Sequence, residues 1–290
     1  MKTRLAVLNS MASREIEESL DIQKAWGLEV LDLKDAIFGK SIEDLGEEEA
    51  GRVSQLCRDR SLDIWTLSSG IFFEDVEKGS DAFQTHLDKV PGLIRAAQIL
   101  KSHQIRLLIA RSSKPEPTGE RLAKALKENS WLMPFYQEAV DQIAGAGFPV
   151  TIENEVHGCL VSSPDEALAF FEALNRPKQA RMTWDVQNLW QEGTFPTLEI
   201  YRELRPLIGM VHLKGGRANV KGGPLIEAES LEKASWPVME ILRAVLDDGA
   251  SPVICLNPSH GIPAQDYKHR PDDYKRDLEF LRRAFPGEMF

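Results

Sequence analysis

The side chains best suited to chemistry follow four short apolar segments in the second half of the chain. TIENE carries Glu153, TWDVQN carries Asp185, MVHLK carries His212 and CLNPSH carries Asn257. Parallel strands of one barrel end on the same rim, so we expect these side chains to converge if each segment is such a strand. Two carboxylates, one imidazole and one amide oxygen suit Mn²⁺ or Mg²⁺, with Co²⁺ or Zn²⁺ as alternatives. The pattern therefore predicts a divalent metal centre, with Mn²⁺ as the first choice.

Further residues near the predicted strand ends are candidates for contacts with a substrate. Lys214 is placed to bind an anionic group or to polarise a carbonyl, and its alternative role is a surface salt bridge. An aromatic ring can stack on the apolar face of a sugar, although Trp65 and Trp184 fit core packing equally well. The candidates for substrate binding are Trp65, Arg111, Trp184 and Arg217. The last of these also fits a solvated, glycine-rich loop.

These residues must be positioned by eight short apolar segments, which alternate with longer stretches of helical spacing. The segments are LAVLNS, GLEVLDL, SLDIWTLS, IRLLIAR, FPVTIENE, ARMTWDVQ, IGMVHLK and SPVICLN. Their spacing allows one crossover helix between consecutive parallel strands. An α/β fold with a single (β/α)8 TIM barrel is favoured over an open doubly wound sheet, because no G-x-G-x-x-G or Walker sequence follows the first strand. We expect one domain over residues 1–290.

Two local signals predict where helices begin and break. Ser163 can accept a hydrogen bond from the Glu166 amide, Pro164 fits the first helical position, and the Glu166 carboxylate can reach back to the cap. This capping box predicts a helix after the fifth strand. Pro91 lies inside a helical pattern from Asp81 to Ser102 and predicts a break or kink there.

Composition restricts the classes of partner. The 290 residues include 35 basic and 45 acidic side chains, which give a formal net charge of −10. A negative protein is poorly suited to neutralise nucleic-acid phosphates. The three cysteines are too few for a disulfide framework, and no apolar run approaches the ~20 residues of a membrane span. We expect a cytoplasmic protein that acts on a small molecule, with no nucleic-acid or membrane partner, and homo-oligomerisation stays open.

Three phrases, TIENEVHG, TWDVQNLW and MVHLKGG, resemble the sugar phosphate isomerase/epimerase family of xylose isomerase-like TIM barrels. The resemblance covers nearly the whole chain in the order of its elements. It implies that Glu153, Asp185 and His212 are the first three ligands of one divalent ion. The family usually has a Glu in the fourth place, where this chain has Asn257. The family's epimerases also have a substrate-binding His at the position of Asn188, which leaves this Asn as a candidate contact for a different substrate.

The departure at the fourth place changes the reaction that the resemblance implies. The epimerases use the first and last Glu on opposite faces of the substrate, and the amide of Asn257 cannot exchange a proton at neutral pH, although its oxygen can still coordinate a metal. A one-base reaction remains, in which Glu153 removes a proton next to a metal-polarised carbonyl. His260 is a candidate for the missing acid, and Lys214 completes the set of candidate catalytic residues.

The resulting expectation is an isomerase, epimerase or lyase that acts on a sugar, a sugar phosphate or a related keto compound. The alternative is a degenerate member that binds a sugar-like ligand without turnover, because Asn257 replaces the fourth Glu. Phosphodiester cleavage, which related barrels carry out with several zinc ions and many histidines, is disfavoured because this chain has only six histidines.

Overall fold

The eight predicted strands form one nearly closed parallel barrel in the computed structural model, which describes residues 2–114, 116–257 and 270–290. The barrel strands are joined in the order β1-β10-β7-β6-β5-β4-β3-β2, and a single parallel bridge from Leu8 to Asp32 links the two remaining edges. Strands β8 and β9 form a separate antiparallel hairpin. The strands are β1 Arg4–Val7, β2 Val30–Leu33, β3 Asp63–Ser68, β4 Gln104–Leu108, β5 Val150–Glu153, β6 Ala180–Asp185, β7 Ile208–Leu213, β8 Gly216–Arg217, β9 Glu227–Ala228 and β10 Val253–Leu256. The predicted TIM-barrel fold is confirmed.

Helices return the chain between the strands and cover the barrel. Short 3₁₀ turns at Ile42–Asp44, Val76–Lys78 and Leu231–Lys233 supplement them. Over the described ranges, no helix is long and apolar enough to cross a membrane. The helices are α1 Asn9–Ala12, α2 Ile16–Ala25, α3 Glu47–Asp59, α4 Ser80–Leu87, α5 Val90–Leu100, α6 Arg121–Glu128, α7 Leu132–Gly145, α8 Pro164–Leu174, α9 Val186–Gln191, α10 Leu198–Leu204, α11 Val238–Asp247 and α12 Pro271–Ala284.

The barrel strands are buried on both faces, which explains why they are nearly continuous apolar runs in the sequence. Every residue of β2, β4, β5 and β10 is buried. Three charged residues interrupt these runs: Asp32 in β2, Arg106 in β4 and Glu153 in β5, all with zero exposure. A buried charge is costly unless it is paired. The barrel interior must therefore supply partners for these three side chains.

The two local helix signals have different outcomes. The predicted break is confirmed, since α4 ends at Leu87, α5 begins at Val90 and Pro91 is its second residue. At the start of α8, the Glu166 amide donates to Ser163 Oγ at 3.3 Å, as expected. The Glu166 carboxylate instead accepts hydrogen bonds from Ser162 and from the Leu122 amide, at 2.6 and 3.0 Å. The expected return bond is thus replaced by a link between α8 and α6.

We expect Ser163→Ala to lower the free energy of unfolding by about 1 kcal/mol, because the first turn of α8 loses its side-chain cap. Urea denaturation followed by circular dichroism measures the change. Ser80→Ala is the matched control, since Ser80 begins α4 and that helix has no side-chain cap. Equal losses in the two variants would contradict the capping role.

Candidate functional site

Glu153, Asp185 and His212 meet at the carboxyl ends of three adjacent strands. Glu153 and Asp185 are the last residues of β5 and β6, and the strand register pairs Asp185 with His212 of β7. All three have zero exposure. One ligand atom from each lies within 4.8 Å of the other two. The structure therefore brings together three of the four predicted metal-binding side chains in a single buried cluster.

Both carboxylate oxygens of Glu153 are engaged. Arg106 Nη1 donates to Glu153 Oε2, and His212 Nδ1 lies 2.9 Å from Glu153 Oε1. The other Arg106 amino group donates to the Ser69 carbonyl at 2.8 Å, which fixes the guanidinium. Burial alone would raise the pKa of Glu153, but the charges of His212 and Arg106 hold that pKa well below its usual range. Glu153 is an oriented carboxylate.

His212 lies between two acids. Its Nε2 lies 3.3 Å from Asp32 Oδ2, while its Nδ1 faces Glu153. Burial alone would lower the pKa of His212, but the charges of Glu153 and Asp32 and the hydrogen bond with Glu153 raise it from 6.5 to about 9. Asp32, His212 and Cys255 also form a second group whose ligand atoms lie within 4.8 Å of one another. The imidazole thus has an acid at each nitrogen.

Asp185 has separate partners for its two oxygens. Lys214 Nζ lies 2.9 Å from Oδ2, and Asn257 Nδ2 donates to the same oxygen at 3.2 Å. The backbone N–H of Asn188 donates to Oδ1 at 2.9 Å, so the carboxylate also caps α9. Burial raises the pKa of Asp185 to about 6 against the opposing charge of Lys214. Asn257, the fourth predicted ligand, therefore joins the cluster through Asp185.

A cavity of about 160 Å³ lies next to this cluster. Its lining includes Asn188, Lys214 and Asn257, which also contact Asp185 and which we call the floor residues. The walls include Lys34, Glu155 and His157. Ligand pockets for drug-sized molecules are ~300–1,000 Å³, so this cavity has room only for a small molecule. The floor residues connect the cavity to the buried acids.

The two candidate tryptophans lie outside the cavity lining. Trp65 stacks on His103 with ring centroids 4.6 Å apart and lies under Arg4, and both partners are at the amino ends of strands. Trp184 has zero exposure and stacks on Tyr201 of α10, with centroids 6.0 Å apart. Both rings have packing contacts, which is the alternative that the sequence left open for them.

The candidate arginines lie in ion pairs and are not among the lining residues, although Arg111 lies over the ring of Phe73, which does line the cavity. Arg111 Nε lies 2.9 Å from Asp75 Oδ1, and Arg217 pairs with Glu227 across the β8–β9 hairpin. His260 lies outside the described residues. Of the residues predicted to contact substrate, Asn188 lies in the cavity lining, together with the catalytic candidate Lys214.

Sequence reasoning missed Arg106, Asp32 and Lys34. The first two carry a signal that could have found them, because each is a charged residue inside an otherwise apolar run, and buried charges need partners. Lys34 directly follows β2 and therefore lies at a strand end, the same position that marks the candidate residues of the later strands.

The barrel is that of a known protein family. The chain belongs to the xylose isomerase-like TIM barrel family, whose sequence model matches residues 22–284. No curated protein matches the chain. The resemblance seen in the sequence is confirmed.

Solved structures share this fold over nearly their whole length. A xylose isomerase-like TIM barrel protein from Mycobacterium smegmatis in complex with magnesium is 15% identical, with a TM-score of 0.72 over 98% of this chain and 96% of that one. A D-psicose 3-epimerase with D-tagatose from Clostridium cellulolyticum H10 is 12% identical, with a TM-score of 0.70 over 98% and 99%. A probable 3-DHS dehydratase from Bacillus anthracis is 17% identical, with a TM-score of 0.69 over 97% and 98%.

We expect Arg106→Met to lower the free energy of unfolding by about 3–5 kcal/mol, because it leaves the Glu153 carboxylate buried without its cation. The double variant Arg106→Met/Glu153→Gln should recover much of that loss. Urea denaturation of all variants measures the coupling. Arg52→Met is the matched control, since it breaks an exposed ion pair with Glu17 and should change stability little.

We expect the metal-free protein to lose stability as the pH rises from about 6.5 towards about 9, because the pKa of His212 is raised on folding. The stabilisation is complete below the ordinary pKa and is lost as the pH passes the raised value. Urea denaturation across this range measures the effect, and histidine NMR gives the titration midpoint. His212→Gln should remove this pH dependence, and an unchanged slope in that variant would contradict the assignment.

Proposed function

We propose that the protein is a divalent-metal-dependent isomerase, epimerase or lyase that moves a proton next to the carbonyl of a small sugar-like substrate. The observation that carries the proposal is the convergence of carboxylate and imidazole donors from Glu153, Asp185 and His212 within 4.8 Å. Two carboxylates and one imidazole are a donor set suited to Mn²⁺, Mg²⁺ and related ions. Mn²⁺ is the ion to test first.

One further atom supports a cation at this position. Asn257 Oδ1 is buried and accepts no hydrogen bond from any residue within the described ranges. It belongs to the same amide whose Nδ2 contacts Asp185. An unsatisfied buried acceptor costs about 1–3 kcal/mol, and a cation would relieve that cost. The residues present therefore fit a divalent ion, with Asn257 as the fourth ligand.

A divalent ion bound here would polarise a substrate carbonyl and acidify the adjacent C–H bond. The chain's own residues prepare for that chemistry. His212 and Arg106 keep Glu153 ionised, and Arg106 fixes its orientation, so the carboxylate needs no deprotonation before it binds an ion. Asp32 faces the His212 nitrogen opposite to Glu153 and restricts the orientation of the ring.

We assign proton transfer first to Lys214. Its ammonium group lies at the cavity floor, where it donates to Asn188 Oδ1 at 2.5 Å and contacts Asp185. Glu153, the base expected from the sequence, has zero exposure and two engaged oxygens, so it would have to break a contact to act as a base. Lys214 is engaged as well, with Asn188 and Asp185, but it lines the cavity and Glu153 does not. This division leaves Glu153, Asp185 and His212 as ligands.

The solved structures with this fold support a small polyhydroxylated substrate. One is an epimerase with a bound ketose, and another is a probable dehydratase. The cavity of about 160 Å³ suits a molecule of that size. A second candidate function is sugar binding without turnover, which is favoured by the engagement of both Glu153 oxygens and by the amide at Asn257.

We expect the purified protein to bind about one Mn²⁺ per chain. Glu153→Gln and His212→Gln should lose the ion, because each removes a ligand. Glu155→Gln is the matched control, since Glu155 lines the cavity wall and should not be needed for the ion. Lys214→Gln should keep the ion but lose about 10²-fold or more of the exchange of a ketose proton with deuterium. Elemental mass spectrometry and NMR measure the two properties.

The outcomes separate the two candidate functions. A wild-type chain that binds none of these ions would contradict the proposal. An ion bound at Glu153 and His212, with sugars bound but no proton exchanged, would favour the binding protein. Exchange that persists in Lys214→Gln would return the role of base to Glu153.

A further inference from the structure

We propose that the substrate carries an anionic group, a carboxylate or a phosphate, and that Lys34 binds it at the cavity wall. This inference rests on the proposed function, because it concerns the substrate of the same site. It adds a recognition residue at the end of β2, whereas the metal-binding candidates all lie in the second half of the chain. Three observations support it: the Lys34 ammonium group has no acidic partner in the described ranges, the charges around the cavity do not balance, and residue 257 is an amide.

Lys34 is a cation that is held by its backbone and has no acidic partner among the described residues. Its amide donates to Asn9 Oδ1 at 2.7 Å, and its carbonyl accepts from the Ile42 amide at 2.7 Å. The residue lines the cavity and is only partly exposed. None of the carboxylates in the described ranges pairs with its ammonium group. Lys214, the other lysine in the lining, is already paired with Asp185.

The charges around the cavity do not cancel when the cluster holds a divalent ion. Among the described residues of the cluster and the cavity lining, with His157 and His212 counted as neutral, four carboxylates face three basic side chains, so a divalent ion would leave one net positive charge. The residues counted are Asp32, Glu153, Glu155, Asp185, Lys34, Arg106 and Lys214. Uncompensated charge in a buried site is costly. A substrate with one negative charge would neutralise it, whereas a neutral sugar would not.

Asn257 is the position at which this balance is set. An ionised acid there would cancel the remaining positive charge, and the amide does not. Asn257 lines the cavity and contacts Asp185, so a charge at this position would act on both the ion and the substrate. The amide therefore favours an anionic substrate over a neutral one.

The test compares three ligands with the same carbon skeleton on Mn²⁺-loaded protein. Isothermal titration calorimetry first measures Mn²⁺ binding and then the binding of D-fructose, D-fructuronate and D-fructose 6-phosphate. We expect one or both anions to bind at least about tenfold more tightly than D-fructose, with an affinity that falls as salt is added. The tighter of the two anions identifies the carboxylate or the phosphate as the recognised group.

Variants then assign that preference to Lys34. Lys34→Gln should weaken binding of the preferred anion about tenfold while Mn²⁺ and D-fructose bind as before, and Lys34→Arg should keep most of the affinity. Lys40→Gln is the matched control, because Lys40 pairs with Glu49 on the surface and should have no effect. Asn257→Glu should reduce the preference for the anion.

The failures are distinguishable. Absence of Mn²⁺ binding in the wild-type protein would overturn both the proposed function and this inference. Normal Mn²⁺ binding with equal affinity for D-fructose and both anions would overturn this inference alone. Anion binding that is unchanged in Lys34→Gln would also overturn it, because the charge would then be recognised elsewhere.

Discussion

The ion pair between Arg106 and Glu153 is the interaction on which the interior of this barrel depends. Both side chains have zero exposure, and a lone carboxylate in that environment would cost several kcal/mol. The parallel register places Arg106 two residues before Leu108, the residue that pairs with Glu153, so the guanidinium can extend along the barrel axis to reach the carboxylate. A charged rim at this depth is tolerated only because neighbouring strands supply opposite charges at matching heights.

The same rule of local compensation divides the cluster into two halves. Glu153 has Arg106 and His212 as partners, and Asp185 has Lys214 and Asn257. Each carboxylate is thus fixed in orientation, but its oxygens already contact cationic or hydrogen-bonding groups. A cation that enters must compete with the protein's own positive groups, which lowers its affinity relative to an open set of acids and favours ions that gain most from the complete donor set.

The strands could be predicted from the sequence, and so could Glu153, Asp185 and His212 of the cluster, because each follows from the pattern of neighbouring residues. Apolar runs define buried strands, and the polar residue that ends each run must lie on the rim. Arg106 could not be assigned a partner in this way, since its pairing depends on the register between β4 and β5. Trp65 belongs to a predicted strand, but its contacts are at the end of the barrel opposite to the cluster. The cavity depends on loop geometry, for which a single sequence carries no signal.

Asp185 performs two tasks, because one oxygen faces Lys214 and Asn257 while the other caps α9. That short helix carries Trp190, whose indole donates to the Gly223 carbonyl at 2.9 Å in the loop between β8 and β9. A cation that binds the Asp185 carboxylate would weaken the hydrogen bond by which this carboxylate caps α9, and would thereby lower the local stability of the helix. An ion bound at the cluster would therefore be expected to change the fraying and hydrogen-exchange protection of α9 and of the loop that Trp190 contacts, without a hinge or a moving domain.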